Sequence, residues 1–352
     1  MRSKVIGIAA LVALIAAVAP VGVSAQAPTR YVDLMFDDVV VTSDIYGEAM
    51  NSKGELQPLG LDVYQPAGDT ASGRGLYIWV HGGNFRVGNK SSSGPLNDYV
   101  RRGWVGISID YRLRPELPGN AAIGAVTDPA SLPAFIDETK DAQHDAQAAV
   151  RWARDHADDL GIDPNLIAMG GISAGAIISQ MVAFNHEDPG STGTPGVSSE
   201  IAAAVSHAGT YAPVLLGDAP RPGDPPIAIY HGTNDEQVPY PTAPIPCVLT
   251  LAVGNDCEYV TFVTENHKTM GTDLARDFLY RHVIGGGART YTPVVADLDG
   301  SPVKVFTGAE PGPTDLGFTA GVVSTTDPDV VTANTLQLLR YALNALGIPP
   351  PF

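Results

Sequence analysis

The chain has 352 residues, a formal net charge of −17 at pH 7, and 44% hydrophobic against 17% charged residues. That apolar content is too high for a disordered chain and is sufficient for one large domain or two small ones. The acidic balance argues against nucleic acids and anionic membrane surfaces as partners, because binding phosphates requires clustered Lys and Arg side chains. The composition therefore predicts a globular protein and excludes these two classes of partner.

The first 25 residues have the layout of a secretory signal peptide. Two basic residues at positions 2 and 4 precede an apolar stretch at 5–19, and a small-residue cleavage site ends at Ala25. The apolar stretch is short for a spanning helix, and no second run of about 20 apolar residues follows it. We therefore predict a secreted or periplasmic protein with no membrane span in the mature chain. An uncleaved N-terminal anchor is the alternative.

Export affects the interpretation of the two cysteines. Cys247 and Cys257 are an even pair, ten positions apart, in a chain predicted to reach an oxidising compartment. Such a pair predicts a disulfide. Two free thiols are one alternative, and a metal site is another, although the cysteines lack nearby His or Cys partners.

Short apolar, β-branched runs alternate with helical patterns through most of the chain. Strands are predicted at Asp38–Thr42, Leu59–Tyr64, Leu76–Val80, Val105–Asp110, Leu166–Gly170, Ala202–Ser206, Ile227–Tyr230 and Tyr259–Val263. Helices are predicted at about Thr139–Leu160, Ala174–Asn185 and Thr272–Val283. This alternation predicts an α/β fold with a mostly parallel central sheet and helices on both faces. Active residues are then expected at the carboxyl ends of the strands.

Four stretches differ in amino-acid composition from the rest of the chain. Loops rich in Pro, Gly, Ser or Asp are predicted at 115–137, 187–200 and 209–226, and we expect the first and third to shape a substrate pocket. Beyond Val283 we predict a hairpin turn at 297–300, in preference to a calcium loop, and a final helix over 330–346. The organisation is thus a signal peptide at 1–25 and one domain over 26–352. Its core spans about 57–283, and residues 284–352 form a C-terminal extension.

The segment Gly171-Ile172-Ser173-Ala174-Gly175 fits the pattern G-x-S-x-G. Ser173 follows a predicted strand and precedes a predicted helix, which is the context that lifts a serine hydroxyl above an α/β sheet. Small flanking residues let the backbone approach a substrate, and the helix N-terminus directs N–H groups at a developing oxyanion. Ser173 is therefore the candidate nucleophile. A helix start opened by glycines is the plainer alternative.

A second glycine turn, His81-Gly82-Gly83-Asn84-Phe85, directly follows the predicted strand at 76–80. Glycines here permit a backbone that points two N–H groups into a site. Gly83, with Gly82 or Asn84 and with the N–H of Ala174, is expected to hold the negative oxygen of a tetrahedral intermediate. The alternative is a tight loop around a buried His81.

The Ser173 turn resembles that of the α/β-hydrolases, in which an acid and then a histidine base follow the serine in the chain. Asp235 lies in the loop after the strand at 227–230, where a buried carboxylate can orient an imidazole; Glu236 is the second candidate, and helix capping is the alternative role. Two histidines follow this loop in the chain. His267 lies in a loop just after a strand, whereas His282 lies within a predicted helix. A general base must reach across to the serine, which favours His267.

Taken together, these segments resemble the α/β-hydrolase superfamily, close to bacterial carboxylesterases related to the feruloyl/acetyl esterase and hormone-sensitive lipase groups. The matching segments are LDVYQPAG (61–68), HGGNFRVGNKS (81–91), VGISIDYRL (105–113), DAQAAVRWARDHADDLGIDPNLIAMGGISAGA (145–176), HGTNDEQVPY (231–240) and ENHKTMG (265–271). They follow the family's order and approximate spacing over about residues 57–283. The resemblance implies an α/β-hydrolase fold and a Ser-Asp-His triad.

The resemblance also implies a role for each matching residue. Ser173 corresponds to the acyl-accepting nucleophile, His267 to the base that later protonates the leaving group, and Asp235 to the carboxylate that orients it. Gly82 and Gly83, with Ala174, correspond to the oxyanion hole. This chemistry requires no metal and no organic cofactor.

Four residues depart from the family pattern. Asn84 replaces the third glycine that often follows the first two, which leaves the conformation of that loop in question. Ile172 occupies the place where the lipase-like group commonly has an acidic residue, which favours the feruloyl/acetyl esterase side. Lys268 and Met270, beside His267, are not the small residues expected there.

The expected function is an exported serine carboxylesterase acting on short-chain acyl or acetyl/feruloyl esters, either small molecules or linked to polysaccharide. A lipase, polyester hydrolase or peptidase with the same triad is the alternative within enzymes. A catalytically silent binding protein on the same fold is the alternative outside them; such proteins usually lack a triad member, whereas all three candidates are present here.

Overall fold

The computed structural model describes residues 29–116, 132–185, 190, 192–194, 196–210, 219–238, 240, 243, 245–262, 264–268 and 270–285. The predicted signal peptide, the C-terminal hairpin and the final helix lie outside the described residues. So do positions 117–131 and 211–218, which fall in two of the predicted loops.

The described chain is organised around one eight-stranded sheet in the order β1-β2-β4-β3-β5-β6-β7-β8. The strands are β1 (Val39–Met50), β2 (Leu56–Pro66), β3 (Arg74–Val80), β4 (Val105–Ile109), β5 (Ile162–Ile172), β6 (Ala203–His207), β7 (Ile227–Gly232) and β8 (Cys257–Phe262). Strands β3 to β8 pair in parallel, and β2 runs antiparallel to both of its neighbours. The mostly parallel sheet and all eight predicted strands are confirmed.

Helices cover both faces of this sheet. They are α1 (Leu96–Val100), α2 (Leu132–Asp155), α3 (Ala157–Leu160), α4 (Ala174–Phe184), α5 (Ile245–Ala252) and α6 (Thr272–Leu279), followed by a π-helical turn at Tyr280–Ile284. Alternate residues of β3 enter two different apolar clusters, one with α2 and α4 and the other with α1 and α6. Burial on both faces explains why the parallel strands have the short apolar runs from which they were predicted. Within the described residues, no helix has both the length and the apolar character needed to cross a membrane.

Several predicted boundaries are wrong. The predicted loop at 115–137 ends too late, because α2 begins at Leu132. Pro133 lies in its first turn, where a missing N–H breaks no helical hydrogen bond. The predicted helix at 139–160 is divided: α2 ends at Asp155, and α3 ends before Gly161, whose φ of 62° terminates it.

Three elements were underestimated for lack of a local signal. β1 is longer than predicted because most of its residues are exposed, so hydrogen bonding to β2 rather than an apolar pattern defines it. α5 was missed because its sequence IPCVLTLA has no polar face to reveal a helical period. α1 was missed because it has only five residues.

Cys247 of α5 and Cys257 of β8 are both buried and form a disulfide, with their Cα atoms 5.5 Å apart. The bond ties a helix to the edge strand of the sheet. We therefore expect it to contribute to the stability of the region that follows Asp235 in the chain.

Replacing both cysteines by alanine should lower the free energy of unfolding by about 2–3 kcal/mol, because the bond closes a short loop and so restricts the unfolded chain. Urea unfolding of the wild type and the double variant, each with and without reductant, measures the effect. Reductant should destabilise the wild type alone. Equal unfolding midpoints for the two proteins without reductant would contradict the prediction.

Candidate active site

Ser173 lies in the sharp turn between β5 and α4. Its φ of 58° and ψ of −121° fall in a region that residues other than glycine rarely adopt. The Ser173 N–H donates to the carbonyl of His207 at 2.9 Å, and its carbonyl accepts from the Ile177 N–H at 3.1 Å. The backbone is thus held on both sides, and the serine itself stays partly exposed at the carboxyl end of the sheet.

Two glycines allow this turn to pack against β3. A Cβ at Gly175 would lie 2.0 Å from the carbonyl oxygen of Val80, and a Cβ at Gly171 would lie 2.5 Å from the same atom. Both distances are far below van der Waals contact, so neither position accepts a side chain without a shift of the backbone. Small residues flanking the serine are required by packing as well as by the turn.

The loop after β3 closes on itself around Gly83. Gly83 has a φ of 120°, and a Cβ there would lie 1.9 Å from the Val87 carbonyl oxygen. The N–H groups of Arg86 and Val87 donate to the Gly83 carbonyl at 3.0 and 3.1 Å. Asn84 has a φ of 55°, in the left-handed region that asparagine tolerates better than most residues. It therefore adopts a backbone conformation that would suit the third glycine of the family pattern.

The same loop contacts the serine turn through Gly82. A Cβ at Gly82 would lie 2.9 Å from the Ile172 carbonyl oxygen and 3.2 Å from the Ser173 Cβ. The absence of a side chain at Gly82 therefore lets the two backbone segments approach each other. This proximity is what donors from both segments need in order to converge on one oxygen.

Asp235 and His267 are directly hydrogen-bonded. His267 Nδ1 lies 2.8 Å from Oδ2 and 3.0 Å from Oδ1 of Asp235. A carboxylate only accepts hydrogen bonds, so Nδ1 carries the proton and the second ring nitrogen, Nε2, is left as an acceptor. A general base needs this tautomer.

The Asp235 side chain is buried and held by several donors. Its Oδ1 accepts from the N–H groups of Gln237 and Val238 at 2.9 and 2.8 Å, and His231 Nε2 lies 3.2 Å from its Oδ2. Burial raises the pKa of this carboxyl, but hydrogen bonds from the two imidazoles and from the Val238 N–H outweigh it. They hold the pKa well below its usual range, so the group is a carboxylate at neutral pH.

These three segments meet at one narrow crevice of about 20 Å³. Its lining residues come from the Gly83 loop, the serine turn and the Asp235 loop: Asn84, Phe85, Ser173, Ala174, Ile177, Gln237 and Val238. Val238 therefore touches the space beside the serine while its N–H donates to Asp235.

The two alternative candidates do not line this crevice as the structure describes it. Glu236 is exposed. His282 packs against Phe278, with 4.5 Å between ring centroids, and burial together with the charge of Arg281 lowers its pKa. Of the unexpected neighbours of His267, Lys268 is exposed, and Met270 packs against the apolar cluster of α1 and α6.

Two histidines close to the site were not predicted. His231, at the end of β7, contacts the Asp235 carboxylate. His207, the last residue of β6, accepts the Ser173 N–H through its carbonyl; its ring stacks on Tyr230, and burial lowers its pKa to about 3. Their position could have identified them from the sequence, because both residues lie at the carboxyl ends of parallel strands.

Among the residues that the structure describes, no group of three or more His, Cys, Asp or Glu side chains is placed to hold a metal ion.

Comparison with known proteins relates the chain to esterases. Residues 61–211 match the BD-FAE family model. Esterase LipI of Mycobacterium tuberculosis is 31% identical over 141 residues, which are 39% of this chain and 38% of that protein. Carboxylesterase NlhH of the same organism is 35% identical over 120 residues, 33% of this chain and 30% of that protein. The matches span about a third of the length of these curated relatives.

Solved structures extend the likeness beyond the matched segment. Est2 from Thermogutta terrifontis, with propionate bound, superposes with a TM-score of 0.54 at 24% identity, over 72% of this chain and 97% of that chain. The same esterase phosphorylated by paraoxon gives a TM-score of 0.51 at 25% identity, over 68% and 90% of the two chains. The likeness shows a shared fold.

Proposed function

We propose that this chain, which has an α/β-hydrolase fold and resembles carboxylesterases, is an exported serine carboxylesterase. The observation that carries the proposal is the meeting of the Ser173 turn, the Gly83 loop and the Asp235 loop at one crevice, with His267 hydrogen-bonded to Asp235. The esterase names of the curated relatives support the same reaction class.

In the first half of the reaction, the Ser173 hydroxyl oxygen attacks the ester carbonyl carbon while His267 Nε2 takes the hydroxyl proton. The carbonyl oxygen becomes negative and is held by the N–H groups of Gly83 and Ala174, with Gly82 or Asn84 contributing. The intermediate then collapses as His267 gives its proton to the alcohol oxygen. The alcohol leaves, and the acyl group remains bonded to the serine oxygen.

In the second half, water replaces the alcohol. His267 takes a proton from the water, whose oxygen attacks the acyl carbon, and the acid is released as the serine recovers its proton. Asp235 keeps the proton on His267 Nδ1 throughout and stabilises the imidazolium that forms twice per turnover. None of these steps requires a metal or an organic cofactor.

Replacing Gly83 by alanine should lower kcat by about 100-fold or more, because a side chain at this position forces the Val87 carbonyl away and displaces the oxyanion donor. Gly68→Ala is the matched control: Gly68 also has a positive φ, of 75°, but no atom of the described residues lies within 4 Å of the added Cβ. Its kcat should stay near that of the wild type. A Gly83→Ala enzyme with wild-type kcat on p-nitrophenyl butyrate would remove Gly83 from the oxyanion hole.

The proposed substrates are short-chain acyl esters or acetyl/feruloyl esters, on small molecules or polysaccharides. The described part of the crevice beside Ser173 is narrow, which supports a small acyl chain. Ile172, in place of an acidic residue beside the serine, supports the feruloyl/acetyl esterase side of the superfamily.

Two measurements test this function. A fluorophosphonate probe should label the folded wild type stoichiometrically; this choice of reagent is supported by the related Est2, which paraoxon phosphorylates. Rates on p-nitrophenyl acetate, butyrate and palmitate, and then on acetylated xylan, define the acyl group and the alcohol. A folded protein that stays unlabelled refutes the serine hydrolase, and a preference for palmitate refutes the short-chain assignment.

Export is the second component of the proposal. The signal-peptide layout of residues 1–25 supports it, and so does the buried disulfide, since such bonds persist in oxidising compartments. Expression in a secreting bacterial host should give a mature protein whose N-terminus lies just after Ala25. A cell-associated protein that retains its first residues would instead indicate the uncleaved anchor.

A further inference from the structure

The Asp235 carboxylate is shared by two imidazoles. His267 reaches Oδ2 from the loop after β8, at 2.8 Å, and His231 reaches the same oxygen from the end of β7, at 3.2 Å. The His231 side chain is fully buried, whereas His267 remains 13% exposed. In the reaction described above only His267 has a role, so the second imidazole needs its own explanation.

The contacts of His231 determine which of its nitrogens carries the proton. Nε2 lies 3.0 Å from the Val238 carbonyl oxygen and 3.2 Å from Asp235 Oδ2, and both of these atoms only accept hydrogen bonds. Nε2 must therefore be protonated and donate to both. Nδ1 is buried and meets no partner among the residues that the structure describes. A proton on Nδ1 would therefore be buried without an acceptor among these residues.

These two acceptors connect His231 to the reacting crevice. Val238 lines the crevice beside Ser173, and its N–H donates to the other carboxylate oxygen of Asp235 at 2.8 Å. The Nε2–H of His231 thus completes a closed ring of hydrogen bonds that passes through the Asp235 carboxylate and the backbone of Val238.

The His231 ring is itself held in place. Tyr240 packs against it with 6.1 Å between ring centroids, and the Tyr240 hydroxyl is hydrogen-bonded to Thr261 Oγ1 at 2.9 Å. Thr261 is the residue that pairs with His231 in the parallel register of β7 and β8. The donor is therefore pre-positioned by the sheet.

We propose that His231 is a positioning residue for ester hydrolysis, whose Nε2–H fixes the Asp235 carboxylate and the Val238 carbonyl so that Asp235 orients His267. The inference rests on the proposed function. It assigns to His231 a role in the geometry and charge of the acid–base pair, without contact to the substrate.

The charge on Asp235 gives this role a distinctive signature. The titratable groups that face the carboxylate are His231 from β7 and His267 from the loop after β8. Without the hydrogen bond from His231, the negative charge of Asp235 is less compensated. It then attracts the imidazolium form of His267 more strongly and stabilises it. The acidic limb of the kcat/KM profile should then move to higher pH, because the reaction needs the unprotonated Nε2 of His267.

Two amide variants separate this role from simple packing. In His231→Gln the amide nitrogen is as many bonds from Cβ as Nε2 is, so the donor is preserved. In His231→Asn the amide nitrogen falls at the place of Nδ1, which has no partner in the described part of the chain, so the donor to Asp235 is lost. His156→Gln, at a half-buried histidine between α2 and α3, controls for the exchange of an imidazole for an amide elsewhere.

The variants are compared on p-nitrophenyl butyrate from pH 5 to 9, with thermal unfolding of each. We expect kcat of His231→Asn to be about tenfold lower, with little change in KM. The acidic limb of its kcat/KM profile should shift to higher pH by about half a unit. His231→Gln should stay within about threefold of the wild type with an unmoved limb. Wild-type kcat and pH profile in His231→Asn would overturn the proposal. Equal losses in both amide variants, in step with their stability, would also overturn it.

Titration of the His267 imidazole by NMR keeps this test separate from the proposed function. If the wild type neither hydrolyses esters nor reacts with fluorophosphonate, the proposed function fails. The positioning of Asp235 by His231 is then decided by the titration alone. A higher His267 pKa in His231→Asn, with an unchanged one in His231→Gln, supports it; identical titrations in all three proteins refute it.

Discussion

Ser173→Ala is expected to lower kcat for ester hydrolysis by about 10⁵- to 10⁶-fold, the scale seen when a serine hydrolase loses its nucleophile. The loss is large because no acyl-enzyme can form, and the remaining groups then act only by binding and by stabilising the oxyanion. KM should change little, because the hydroxyl takes part in bond formation more than in binding. Steady-state rates on p-nitrophenyl butyrate measure both parameters.

Ser198→Ala is the matched control, since Ser198 is exposed in the loop before β6 and far along the chain from the serine turn. It should retain wild-type rates and fluorophosphonate labelling, while Ser173→Ala loses both. Equal labelling of Ser173→Ala and wild type would show that another residue is the nucleophile. Thermal unfolding of each variant excludes loss of the fold as the cause.

Asp235→Asn should lower kcat at neutral pH by about 10³- to 10⁴-fold, which is the range for replacing the triad carboxylate by an amide. The amide no longer requires the proton to stay on His267 Nδ1, and it does not stabilise the imidazolium. Kinetics on p-nitrophenyl butyrate measure the effect. Glu236→Gln, one residue away and exposed, should leave kcat unchanged. A larger loss in Glu236→Gln than in Asp235→Asn would move the acid to Glu236.

The same substitution should alter how stability depends on pH. The pKa of Asp235 is lowered in the folded protein, so ionised Asp235 contributes stability above its unfolded pKa of about 4 and loses it as pH falls towards the folded value. The wild type should therefore lose more unfolding free energy between pH 5 and pH 3 than Asp235→Asn does. Urea unfolding across that range tests the sign, and parallel curves would contradict it.

Much of the fold follows from local pattern. Largely apolar runs identified β3, β4 and β5, since strands covered on both faces need apolar residues on both. Glycines at 171 and 175 marked the serine turn, because the backbone of β3 passes within contact distance of both. These features depend on residues close together in the sequence and on the period of the element that contains them.

Other elements depend on partners that are distant in the sequence. β1 continues to Met50 because β2 supplies its hydrogen bonds, although most of the strand is exposed. α2 begins earlier than its apolar pattern indicates, and α5 has no polar face at all. In β1 and α5, pairing with β2 and packing in the apolar cluster override the weak local preference.

The sequence by itself determined the α/β class, the order of the strands along the chain, and the three segments that carry Ser173, Asp235 and His267. Only the tertiary structure decided that Asn84 adopts a left-handed backbone and that His231 shares the Asp235 carboxylate with His267. The reason is physical. A turn or an apolar run is set by neighbours in the chain, whereas a hydrogen bond between the ends of two strands is set by which strands lie side by side and in what register.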